Sequence, residues 1–221
     1  PDAVSNEVAA LVEQTTWRHP SGLKDRGRLQ QGQTVAVLGA AGGAGLAALE
    51  IAKLMGARVI AVASSAEKLS VCQSHGADEL VNYQQADLKL ALRRLTGGDG
   101  ADVVYDCVGG ESSEAALRAM AWKGRFLVVG FASGQIPRIP LNLLLLRGAE
   151  AVGVFWGEFV KRDPASHRRN MTQVLRWIAE SSLTPRIHAT YPLDQIREAI
   201  GVLDRREAVG KVVHQLMKSL D

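Results

Sequence analysis

The residues with the most chemical promise lie in Gly39-Ala-Ala-Gly-Gly-Ala-Gly45. Glycines let a backbone turn tightly and let a pyrophosphate reach its amide N–H groups. A helix that follows adds the partial positive charge of its N-terminus. The spacing departs from G-x-G-x-x-G, because the first glycine of that pattern would fall on Ala40. What stands instead is Ala40-Ala41-Gly42-Gly43-Ala44-Gly45, with Gly39 in front. A tight strand-to-helix connection with no ligand accounts for the same residues, so the surroundings must decide.

Three further groups bear on that decision. In a dinucleotide fold the end of the second strand, about 20 residues after the glycines, reads the adenosine ribose, and an acid there selects against a 2′-phosphate. Here the stretch is Ala63-Ser64-Ser65-Ala66-Glu67-Lys68, small hydroxyls followed by a cation. This suits a phosphate, with a charge-assisted bond to Lys68 of roughly 1.5 to 3 kcal/mol. Glu67 is the nearby acid, one turn into the helix and expected to face solvent. Ser64 and Ser65 also read as a plain helix cap. Asp106-Cys107-Val108-Gly109-Gly110 leaves room for a ligand at a strand end, or is a turn. Gly130-Phe131-Ala132-Ser133-Gly134 puts its serine one position late for the hydrolase elbow G-x-S-x-G, so a nucleophile is rejected.

The five histidines, His19, His75, His167, His188 and His214, have no ligand spacing, and Cys72 and Cys107 belong to no C-x-x-C pair. No metal site is expected. No side chain is clearly placed for proton transfer either.

These groups must be held by something, and the chain supplies alternating elements. Apolar, β-branched runs predict strands at 34–38, 58–63, 79–82, 102–106 and 125–129, with a sixth at 149–155. Between them, helices are predicted at 46–55, 66–75, 85–95 and 113–120, with a helical turn at 142–146. A helix at 164–181, a strand at 187–191, a helix at 193–203 and a strand at 211–214 complete the chain. Near its start, Ser5 to Leu11 reads as a short helix and 23–29 as a helix end. Strands alternating with helices of about ten residues imply βαβ units, a doubly wound parallel sheet and right-handed crossovers. The expected fold is α/β, a Rossmann sheet of about six strands. Residues 31–160 form the nucleotide-binding domain, 1–30 a linker or remnant, and 161–221 the C-terminal helices and return strand.

The 221 residues are 47% hydrophobic and 22% charged, a globular balance with ample core material. The net charge is +3, and the basic pairs Arg93-Arg94 and Arg168-Arg169 are scattered, which argues for solvated faces and against a nucleic-acid partner. The best apolar candidate, Leu141 to Leu146, is too short to cross a membrane, and no signal peptide is apparent. With two cysteines a reducing compartment is expected, the cytoplasm first and mitochondria left open. The chain begins at Pro1, as a fragment or a domain would.

Taken together, Gly39-Ala-Ala-Gly-Gly-Ala-Gly, Gly76-Ala-Asp-Glu-Leu-Val-Asn-Tyr, Asp102-Val-Val-Tyr-Asp-Cys-Val-Gly-Gly and Gly124-Arg-Phe-Leu-Val-Val-Gly-Phe-Ala-Ser-Gly resemble the medium-chain dehydrogenase/reductase superfamily. Within it they resemble the zinc-free quinone oxidoreductase branch. Asn142-Leu-Leu-Leu-Leu, Gly153-Val-Phe-Trp-Gly and Gly210-Lys-Val-Val extend the similarity, which covers roughly residues 23 to 215.

The resemblance implies NADPH as cofactor and a quinone or other activated double bond as small-molecule substrate, without metal. It implies that Gly42, Gly43, Ala44 and Gly45 hold the pyrophosphate, and that Ser64, Lys68 and Tyr83, with Ser65 beside them, surround the 2′-phosphate. Val108, Phe131, Ala132, Ser133, Phe155, Trp156 and Gly157 would lie along the ribose and nicotinamide, and Arg206 would contact phosphate. It also implies a homodimer through the edge strand at 149–155.

The family's catalytic domain would precede residue 1, and its Tyr-Gly-Thr segment is replaced here by Glu13-Gln-Thr-Thr-Trp-Arg-His-Pro-Ser-Gly. The expectation is therefore weak NADPH binding and slow turnover by these 221 residues alone. An enoyl reductase from a larger synthase and a non-catalytic NADP(H)-binding module are the alternatives. A Rossmann-like methyltransferase is disfavoured, because no acid ends the second strand.

Overall fold

The computed structural model describes residues 20–215. The short helix expected at Ser5 to Leu11 and the segment at Glu13 lie outside them. A π-helical turn, Ser21–Arg26, leads into β1 (Thr34–Leu38), α1 (Gly43–Leu54), β2 (Arg58–Ala63) and α2 (Ala66–Ser74). Next come β3 (Glu79–Asn82), α3 (Leu88–Leu95), β4 (Ala101–Asp106), α4 (Glu111–Arg118) and β5 (Met120–Val128). Then follow α5 (Asn142–Arg147), β6 (Glu150–Gly153), α6 (Trp156–Arg162) and α7 (Pro164–Ala179). The last elements are β7 (Ile187–Pro192), α8 (Ile196–Asp204) and β8 (Lys211–Gln215).

Six strands pair in parallel in the order β3-β2-β1-β4-β5-β6. The order reverses between β1 and β4, the crevice in which doubly wound folds place their ligands. Each central strand is buried on both faces, and its alternate residues feed two separate cores. Val35, Val37, Val59, Ala61, Val103 and Tyr105 meet α1, α2 and α7 on one side. Ala36, Leu38, Ile60, Val62, Val104 and Phe126 meet α3, α4 and α5 on the other.

The elements depart from the sequence expectation in several places, among them β5, which begins at Met120, where the helix expected at 113–120 was to end, and not at Arg125. The first helix begins at Gly43 rather than Leu46, because Gly42 caps it and the Leu46 amide donates to the Gly42 carbonyl at 2.8 Å. The last three residues of the glycine turn are thus helical, with their amides among the unpaired donors of the first turn. The helix expected from residue 85 starts at Leu88, where the Asp87 carboxylate accepts from the Leu90 amide at 2.9 Å. Strand β6 is shorter than the expected 149–155 and stops at Gly153. Residues 156–162 form α6, which the sequence reading passed over.

The C-terminal segment folds back onto the sheet instead of standing apart. Val174 and Leu183 are buried in the same core as β1. The buried Glu50 of α1 accepts from the Thr184 hydroxyl at 2.8 Å and pairs with His75 at 2.9 Å. Beyond that anchor, β7 and β8 form a two-stranded parallel sheet, and Gly210 bridges to Gly42, its amide donating to the Ala41 carbonyl at 2.9 Å. The chain end is therefore stitched to the glycine turn.

Candidate functional site

At the switch point lies a cleft of about 350 Å³. Its floor is the glycine turn, Gly39 and Ala41 to Gly45. Ala63, Ser64, Lys68 and Tyr83 form one wall; Cys107, Val108, Ala132 and Ser133 form the other. Leu203, Arg206, Ala208 and Gly210 close it over from the C-terminal segment.

Two glycines explain the shape of the floor. A side chain at Gly45 would place its Cβ 2.6 Å from the Ala40 Cα, so the helix could not start so close to the strand. Gly39 has φ +68°, a left-handed turn that L-residues rarely adopt. Opposite, the buried Asp106 shapes the second wall. Its carboxylate accepts from the Val108 amide at 2.8 Å, the Gly109 amide at 2.9 Å and the Ser113 hydroxyl. This turns Cys107 and Val108 inward, and the Cys107 thiol lies 3.2 Å from the Leu38 carbonyl.

The charge pattern is one-sided. Among the described residues lining the cleft, the charged side chains are Lys68 and Arg206, both cationic. Glu67 is exposed, as expected. The Ser65 hydroxyl bonded to it holds its carboxyl below the usual value. Lys68 Nζ donates to the Arg206 carbonyl at 2.6 Å and lies 3.3 Å from the Ser64 hydroxyl. Arg206 itself sits at φ +57°, and its Nη2 reaches the Ser133 carbonyl at 3.4 Å.

The structure thus brings together Gly42, Gly43, Ala44, Gly45, Ser64, Lys68, Tyr83, Val108, Ala132, Ser133 and Arg206. It leaves five anticipated residues out. Ser65 spends its hydroxyl on the helix, accepting from the Lys68 amide at 3.3 Å. Phe131 turns outward beside Gly109. Phe155 is 74% exposed at the start of α6, where Trp156 packs edge-on against His167 at 5.9 Å and Gly157 lies within the helix. The expected strand to residue 155 ends early, and the helix that replaces it carries these three residues off the cleft.

The lining residues to which the sequence reading assigned no cofactor contact are Gly39, Ala41, Ala63, Cys107, Leu203, Ala208 and Gly210. Lys211, likewise unassigned, adjoins them: its aliphatic stem crosses Gly43, within about 3 Å of where a Cβ would sit. Gly39, Ala41, Ala63, Cys107 and Gly210-Lys211 stood in motifs that the sequence offered, while Leu203 and Ala208 carried no such signal.

A pyrophosphate-sized anion fits this arrangement. The floor at Gly42, Gly43 and Gly45 is bare backbone, the helix starts there with its first-turn amides unpaired, and both lining charges are positive.

The zinc-binding dehydrogenase family model matches residues 43–180. A quinone oxidoreductase-like protein 2 homolog from Nematostella vectensis is 41% identical over 215 residues, 96% of this chain and 59% of that protein. The chain belongs to the medium-chain dehydrogenase/reductase superfamily, in its quinone oxidoreductase-like branch. It spans about three fifths of the length of such relatives. A mycobacterial structure solved as a complex with NADPH superposes with a TM-score of 0.91 at 30% identity, over 98% of this chain and 66% of that one. The CurK enoyl reductase superposes at 0.86 and 27% identity, over 98% of this chain and 64% of that one. The fold of this superfamily member is the Rossmann sheet expected from the alternating strands. Among the described residues no group of three or more His, Cys, Asp or Glu is placed to hold a metal ion. No described helix is long and apolar enough to cross a membrane.

Proposed function

We propose that this chain is the nucleotide-binding portion of an NADPH-dependent, metal-free oxidoreductase that reduces a quinone or an activated double bond. The single observation that carries the reading is the cleft at the switch point, floored by the capped helix start at Gly42 and lined by two cations and no carboxylate. The amides of Gly43, Ala44 and Gly45 would take the pyrophosphate. Ser64, Lys68 and Tyr83 would surround a 2′-phosphate, where an acid would favour NAD instead. Val108, Ala132 and Ser133 would line the path toward the ribose and nicotinamide. When bound, a reduced nicotinamide supplies a hydride.

What the chain contributes is binding and orientation. The Asp106 carboxylate fixes the wall that the nucleotide would lie against, and the C-terminal segment adds Leu203, Arg206, Ala208 and Gly210 to the lining. An enoyl reductase is the second reading, favoured by the superposition on CurK. A module that binds NADP(H) without turnover is the third. For assembly, β6 is the outer strand of the sheet, and pairing of two such edges would give a homodimer. Cytoplasm or mitochondria suit such a reductase.

The test is fluorescence titration of the 221-residue chain with NADPH and NADH, followed by NADPH oxidation with a simple quinone. NADPH should bind several-fold tighter than NADH, with slow turnover. Equal affinities would contradict the cofactor assignment, and fast saturable oxidation would contradict the expectation of slow chemistry.

A further inference from the structure

Helix α5 turns only part of its apolar surface to the core. Leu143 is buried and Leu144 packs against the same cluster, while Leu145 and Leu146 face out beside Leu141, which precedes the helix. Ile136 lies exposed on the incoming loop. At the far end stands the Trp122 ring, which a side chain on Gly148 would meet at 3.2 Å. Each of these five outward side chains is at least 67% exposed. Single exposed leucines are ordinary, but a contiguous apolar patch marks a surface that something covers.

The charge beside the patch says what. A depression of about 240 Å³ is lined by Leu143, Leu146, Lys89, Arg118 and Arg147, so every charge in it is positive. Through Lys89 and Arg118 it adjoins a larger hollow of about 500 Å³, which adds Arg138 and the acids Asp87, Glu111 and Glu114. Two of those acids are engaged: Asp87 caps α3 through the Leu90 amide, and Glu114 holds Arg118 at 2.6 Å. Along the chain, residues 131–149 carry two arginines and no acid. None of these residues lines the nucleotide cleft.

We propose that α5 and the basic depression beside it are a docking surface for an anionic lipid bilayer. A helix of six residues cannot cross a membrane, but it lies in the interface with its leucines among the acyl chains and an aromatic ring at headgroup level. Lys89, Arg118, Arg138 and Arg147 then face lipid phosphates, and each such cation strengthens binding about fivefold. Charge decides against a second copy of the chain as the occupant. A face apposed to itself would set these cations against one another, with Glu111 the one acid of the two hollows left to answer them among the described residues. The inference rests on this patch and not on the nucleotide site, so its failure leaves the functional reading standing.

Flotation of the 221-residue chain tests it, with vesicles of phosphatidylcholine alone and of phosphatidylcholine mixed with phosphatidylglycerol. The chain should float with the mixed vesicles in low salt, less in high salt, and stay behind with the neutral ones. Lys89→Gln combined with Arg138→Gln should weaken binding about fivefold per cation. Leu145→Gln combined with Leu146→Gln should weaken it about tenfold or more. All four side chains are exposed, so both variants should keep the circular dichroism of the unaltered chain. No flotation, equal flotation with both vesicle types, or flotation that neither variant weakens overturns the proposal. A chain that stays behind and instead forms a dimer by light scattering, dispersed by the leucine variant, would give the patch to a second copy.

Discussion

The two ends of the cleft are built differently. At the glycine end, shape comes from backbone: a capped helix start, a left-handed Gly39, and a C-terminal segment bonded to Ala41 and crossing Gly43. At the β5 end, shape would have to come from side chains, yet Phe131 and Phe155 are exposed and Trp156 is committed to packing against His167. On the function proposed above, this chain carries a preorganised phosphate site, while the nicotinamide end contributes little beyond Val108, Ala132 and Ser133. Backbone amides held by a buried sheet need no reorganisation to meet an anion.

The largest effect should come from Gly45→Val. Its Cβ would meet Ala40 and the Gly39 carbonyl, so the helix start must shift away from the strand. Nucleotide titration should show binding below detection, with strand content retained by circular dichroism. Undiminished binding would break the claim that backbone builds this end.

Next in size is Lys68→Met, which should weaken NADPH at equilibrium by about ten- to a hundredfold while NADH changes little. A parallel loss for both cofactors would show Lys68 to be a general cation and no reader of the 2′-phosphate.

Glu50→Ala removes the anchor that Thr184 and His75 share, and should cost about 1–3 kcal/mol in urea unfolding. Nucleotide binding should weaken with it, because the C-terminal segment that lines the cleft follows that anchor in the chain. Unchanged binding in the destabilised variant would show that the bonds of Gly210 and Lys211 hold the segment by themselves.

The smallest effect is chemical. Burial pushes the Cys72 thiol up to about 12, so it should stay unlabelled by iodoacetamide at pH 8. Cys107 is only partly buried and lines the cleft, and NADPH should slow its labelling severalfold by mass spectrometry. Labelling at Cys107 that NADPH leaves unchanged would place the nucleotide elsewhere.

How legible the molecule was in its sequence follows the same divide. The central strands could be read because they are buried on both faces, which leaves unbroken apolar runs such as Val35-Ala-Val-Leu, whereas the outer β6, buried only at Val152, was read too long. The glycine floor could be read because Gly39, at φ +68°, and Gly45, packed against the Ala40 backbone, leave no room for a side chain. Ser65 shows where reading fails, since a serine at that position suits a helix cap and a phosphate ligand equally, and the structure spends it on the cap. Helix α6 was hidden because it starts at Trp156 with Phe155 before it as a cap without a side-chain bond, two residues after β6. The contacts of Arg206 with Lys68 and of Lys211 with Gly43 join residues far apart in sequence, which no local spacing reveals.

The central claim, that one end of the cleft is a complete site and the other is not, can be tested by dividing the cofactor. Calorimetric titration of the chain with 2′,5′-ADP and with nicotinamide mononucleotide measures each end separately. The account predicts that 2′,5′-ADP binds nearly as tightly as NADPH, while the mononucleotide shows no measurable heat. Equal affinities for the two fragments, or tighter binding of the mononucleotide, would contradict it.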